Sequence, residues 1–187
     1  MRNFCLVCFI VMTQSGCSLI LGNVRPVEEK SNVYGVLDLS KTKKNWTKLD
    51  SGLSSGKSYS ENSDTPDSGI SDIAFQSNET ASIISINSAC KSSKNLDRNK
   101  SLKELSRELL LGISDITLQE EKNVQLDDTQ ALQTTLRGRL NNEDIMLQTV
   151  VLKRDLCVYD LMYVSRPNKF EENRKDFADF VSSLRLR

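Results

Sequence analysis

Histidine is missing from this 187-residue chain altogether, and so is any net charge, because 25 Lys and Arg balance 25 Asp and Glu. Without histidine there is no Ser-His or Cys-His pair to activate a nucleophile, and the usual zinc sites lose a principal ligand. Without a basic excess, a nucleic-acid binder that works by neutralising phosphates is not expected. No apolar run approaches the ~20 residues that span a bilayer. What the chain does have suits one folded unit of ordinary size: 38% of its residues are apolar and 27% charged, enough to bury a core.

The amino end reads MRNFCLVCFIVMTQSGC. Arg2 and the free amine make a short positive region, 4–12 is an unbroken apolar run, and the small pair Ser15-Gly16 follows. These are the parts of an export signal over 1–16. Ser-Gly-Cys resembles the bacterial lipobox, in which the signal is cut just before a cysteine that carries diacylglycerol; that resemblance implies lipidation of Cys17. Gln14 departs from the aliphatic residue usual three places before the cysteine. Residues 17–32 are polar with scattered aliphatics and read as a tether between membrane and domain. Several acyl chains on one cysteine hold firmly where one gives marginal binding. Ser18 is not the Asp that retains enteric lipoproteins in the inner membrane, so the resemblance places the protein on the outer membrane, facing the periplasm.

Five cysteines follow from this in different ways. Cys5 and Cys8 have CxxC spacing but lie inside the signal, and Cys17 is taken by lipid. Cys90 and Cys157 remain, an even pair in an oxidising compartment; a disulfide between them is the preferred reading, and two buried free thiols the alternative.

Residues 33–187 form the expected single α+β domain. Within it, 51–72 contains eight Ser and three Gly among 22 residues and almost nothing apolar, the composition of a flexible insertion. It separates a short leading stretch (33–39 and 45–49) from the well-patterned part, 73–187. Two strands, 73–75 and 81–90, are joined at 77–80. Ser101 and Glu104 have capping-box spacing and open a helix with a Leu102, Leu105, Leu109 stripe and Gly112 as its stop. Alternating runs then cover 115–124, 129–139, 144–153 and 156–164, with turn residues Asp127-Asp128, Asn141-Asn142 and Arg154-Asp155 between them. Short links imply an antiparallel meander. A final helix, 169–184, presents Phe170, Phe177, Val181 and Leu184 on one face, with Phe180 beside them. If the last long strand neighbours 81–90, Cys90 and Cys157 can meet.

Taken together, ASIISINSAC, the capped helix ending LLLGI, the RGRL and QTVVLK meander, CVYDLMYV and FEENRKDFADFVSSLRL resemble a group of delta-proteobacterial-type envelope lipoproteins over about 70–187. The last strand, proline and DFxxFV helix also resemble the PsbP-like α/β/α sandwich, named for a photosystem extrinsic protein. The first resemblance implies an envelope lipoprotein. The second implies a sheet packed with two helices and a non-enzymatic role in assembly or stability. Neither supplies a catalytic residue, a metal site or a cofactor.

Other motifs carry little. The segment from Gly52 to Ser58 has three residues between its glycines where a phosphate cradle needs four, so no nucleotide is expected. Ser40–Lys43 and Ser54–Lys57 match Ser-x-x-Lys but lie in polar surroundings without companion motifs. Acid pairs such as Glu120-Glu121, Asp127-Asp128 and Glu143-Asp144 fall at strand edges and turns, where solvated carboxylates belong; Asp127-Asp128 lacks the spacing of a calcium loop. Trp46, Tyr159 and Tyr163 fit a core better than a groove. The expected function is therefore a lipid-anchored envelope protein that acts through protein contacts without catalysis. The rival is a carrier holding an apolar ligand between the sheet and helix 169–184.

Overall fold

The computed structural model describes residues 34–49, 71–90 and 100–186. The expected signal at 1–16, the lipidation site Cys17, the tether 17–32 and all of the Ser-rich segment but Ser71 and Asp72 lie outside the described residues.

The chain is a mostly antiparallel β-sheet with few helices. Its elements are β1 (Tyr34–Gly35), α1 (Leu39–Thr42), β2 (Trp46–Leu49), β3 (Ile73–Ser77), β4 (Ile83–Cys90), α2 (Leu102–Leu109), β5 (Ser114–Leu126), β6 (Thr129–Leu140), β7 (Glu143–Arg154), β8 (Cys157–Ser165), a 3-10 turn (Pro167–Lys169), α3 (Phe170–Ser182) and β9 (Arg185–Leu186). Seven strands form one sheet in the order β2-β3-β4-β8-β7-β6-β5, while β1 pairs with β9.

Local chemistry accounts for the boundaries. The Ser101 hydroxyl accepts the Glu104 amide at 3.2 Å and the Glu104 carboxylate accepts the Ser101 amide at 2.7 Å, so α2 begins with a complete capping box. Gly112 follows at φ +92°, where a side chain is strained. Asp127, Asp128, Asn141 and Asn142 all have positive φ, which lets two-residue turns match the twist of the strands they join. One turn differs from expectation. Arg154 is still in β7, paired with Cys157, and the reversal falls on Asp155 and Leu156, with only Asp155 at positive φ.

The leading stretch also differs from its expected separation from 73–187. β2 pairs with β3 as an edge of the main sheet, and Leu39 and Trp46 are buried in the principal core. The tie is specific: the Trp46 indole N–H donates to Asp176 Oδ2 on α3 at 2.8 Å.

The sheet buries side chains on both faces. On one, Ile84, Ile86, Val150, Leu152, Leu161 and Tyr163 pack with Phe170, Phe177 and Phe180 of α3. Tyr163 stacks on Phe170 (5.0 Å) and Phe177 (5.6 Å), and its hydroxyl donates to the Phe170 carbonyl at 2.7 Å. The contact between α3 and the sheet is thus occupied by aromatic rings, where the carrier reading expects a gap. On the other face, Leu105 of α2 packs on Val151 and Val158, and Leu109 and Leu110 lie against Leu136, Leu147 and Met162. Covered on both sides, β7 is buried almost without break from Ile145 to Leu152, with polar Gln148 and Thr149 among the buried residues.

Candidate binding surface

Cys90 and Cys157 are register partners on β4 and β8, with Cα atoms 4.1 Å apart and a disulfide between them. The two-residue period decides this. With Ile84 opposite Tyr163 and Ile86 opposite Leu161 in the core, the two cysteines fall opposite each other at the end of the ladder.

Beside this staple, Asp72 joins three segments. Its Oδ2 accepts the Ser88 amide at 2.7 Å, the Tyr34 hydroxyl at 3.0 Å and the Ser88 hydroxyl. Tyr34 also packs edge-on against Tyr159 at 5.6 Å. Burial, reinforced by the charge of Asp72, pushes the Tyr34 phenol far above its ordinary value. A tyrosine that resists ionisation in the folded state stabilises the fold fully below its unfolded pKa of about 10, and that contribution is lost as pH rises above it. Urea midpoints measured from pH 8 to 11 should therefore fall at the alkaline end, and Tyr34→Phe should flatten that fall. An identical alkaline slope in the variant would remove Tyr34 from the account.

At the far end of the sheet lies an open depression of about 450 Å³, lined by Arg137, Arg139, Asn142, Glu143, Asp144, Arg166, Pro167 and Asn168. Strand periodicity puts Arg137 and Arg139 on one face of β6, and the β8–α3 link adds Arg166. Arg139 is fixed: its Nη2 donates to the Asn142 carbonyl at 3.0 Å, and its guanidinium lies 3.6 Å from both Asp115 and Asp144. Arg137 and Arg166 are exposed and belong to no ion pair among the described residues. Two exposed guanidiniums beside a held third offer forked donors to carboxylates, with Glu143 and Asp144 in the same lining.

The residues singled out in the sequence fall elsewhere. Cys90 and Cys157 are bonded at the opposite end of the ladder. Trp46, Tyr159 and Tyr163 are all core. Ser40 and Lys43 serve different partners, Asp38 at 2.6 Å and Asp176 at 3.0 Å respectively. Asp127 ties two segments together, its Oδ2 accepting from the Leu186 amide at 2.7 Å and lying 3.2 Å from Arg154. The arginine depression was not anticipated, although Arg-x-Arg on a strand signals two side chains on one face.

No family profile and no curated protein matches the chain. The fold is PsbP-like. The solution structure of the cyanobacterial PsbP (CyanoP) of Synechocystis sp. PCC 6803 superposes with a TM-score of 0.52 at 11% identity, over 83% of this chain and 93% of that one. A Pseudomonas aeruginosa protein of unknown function is also similar, with a TM-score of 0.46 at 15% identity over 76% of this chain and 82% of that one.

Proposed function

We propose that this protein is a lipid-anchored component of a bacterial cell envelope, held through Cys17 at the outer membrane and facing the periplasm. Its PsbP-like two-helix sandwich acts as a non-catalytic binding or assembly factor. The observation that carries this reading is the Cys90–Cys157 disulfide, a bond that persists in oxidising compartments, taken with an amino-end sequence that reads as an export signal. The resemblance to PsbP-like proteins, as assembly and stability factors, supports the same role. Its contacts centre on the arginine depression, which offers donors to an acidic surface of a protein partner.

The anchor and compartment are tested together by an intact mass, without reductant, of protein extracted from its native membrane. The expected mass is that of residues 17–187 plus acyl groups less two hydrogens; an uncut chain with free thiols would overturn the reading. The contact surface has its own test. Arg137→Glu with Arg166→Glu should weaken capture of the envelope partner about tenfold or more, because two exposed guanidiniums become carboxylates facing acids. The melting temperature should stay within about 2 °C, since neither residue is buried. Unchanged capture would assign the contact to another surface.

A further inference from the structure

Among the described residues, β5 is the outermost strand of the large sheet and pairs on one side only, with β6. Such an edge presents a row of free backbone donors and acceptors, and proteins usually guard it with charge. The charges on β5 have a particular order. From Leu118 onward its register with β6 is regular, after an irregularity between Ser114 and Leu118. On the face that Val124 shares with core residue Ala131, the even positions read Leu118, Glu120, Lys122, Val124. Glu120 and Lys122 are exposed, and neither takes part in an ion pair among the described residues.

That order is complementary to itself when reversed. We propose that β5 is a homodimer edge, pairing antiparallel with β5 of a second copy about a two-fold axis at Glu121. The axis must stand perpendicular to the sheet for two identical edges to meet antiparallel, so like faces continue across the junction. Glu120 of each copy then faces Lys122 of the other, twice, and Leu118 faces Val124, twice. Moving the axis to residue 120 would set Glu120 against Glu120, and moving it to 122 would set Lys122 against Lys122; like charges directly opposite are destabilising. On the other face the two Glu121 carboxylates meet at the axis, but each arrives with its own cation, since Lys103 Nζ of α2 lies 2.8 Å from Glu121. The result is an alternating quartet rather than a bare acid pair. The regular seven-residue overlap, 118–124, supplies about six to eight backbone hydrogen bonds.

Cross-linking of the full chain in its membrane tests the register. A Glu121→Cys side chain would sit about 5 Å from its symmetry mate, within reach of a disulfide. Asn123→Cys would lie about 13 Å from its mate, out of reach. Oxidation should therefore give a covalent homodimer with Glu121→Cys, and no more than the parent background with Asn123→Cys. Adding Glu120→Lys or Lys122→Glu to Glu121→Cys should each lower the dimer yield about tenfold, because both cross-strand pairs become like-charged. Co-expressing those two variants should restore it, since their edges complement one another and both substituted residues are exposed. Equal yields at 121 and 123, indifference to the charge changes, or a cross-link to a different protein would overturn the pairing.

Discussion

Replacing Phe177 with alanine is expected to cost about 3–5 kcal/mol, the range for emptying a large aromatic site in a packed core. The ring is 1% exposed, stacks on Tyr163, and lies in the cluster that joins α3 to β3, β4, β7 and β8. On a chain of this size that corresponds to a melting temperature lower by about 10 °C. Phe177→Leu keeps most of the apolar volume and should cost less than half as much. Urea unfolding of the three proteins gives the answer directly. A loss below about 1 kcal/mol for the alanine variant would mean that α3 is not docked on the sheet through this ring.

Removing the disulfide should have an effect of similar size by a different route. Cys90 and Cys157 are 67 residues apart, and closing a loop of that length restricts the unfolded chain by about 4 kcal/mol in the chain-entropy account. Cys157→Ser is expected to melt about 10 °C lower than the parent under oxidising conditions. In excess reductant the parent should fall to the level of the variant, which separates loss of the bond from loss of packing at position 157. If reduction leaves the parent's melting unchanged, the staple does not contribute to stability.

These two sites show what could be seen in the sequence. The capping box at Ser101, the paired turn residues at 127–128 and 141–142, and the aromatic stripe of α3 are local signals, and the strands and helix they bound follow to within a few residues. The Cys90–Cys157 pairing follows from the same periodicity, once β4 and β8 are neighbours. Less legible were features decided by distant partners. β2 has four residues, and only its pairing with β3 and the reach of Trp46 to Asp176 make it a strand of the main sheet. β1 and β9 have two residues each, too few to carry any period. The turn after β7 shifted by one residue because Arg154 is held in the ladder opposite Cys157. The arginine depression draws on β6, β7 and the link into α3, residues whose proximity exists only after the hairpins close. Surface arginines give no periodic signal of burial that would mark such a cluster in the sequence.

The staple also has a mechanical side. α2, β5, β6 and β7 all lie between Cys90 and Cys157. A pull applied at the two ends of the chain would be carried across the S–S bond, leaving those elements out of the line of tension. The first contact to give way would be the two-residue pairing of β1 with β9, where Tyr34 sits opposite Leu186. While the bond holds, about 240 Å of chain length stays locked away from extension, and reduction releases it. In a single-molecule stretching trace, oxidised and reduced protein should differ by a step of that length.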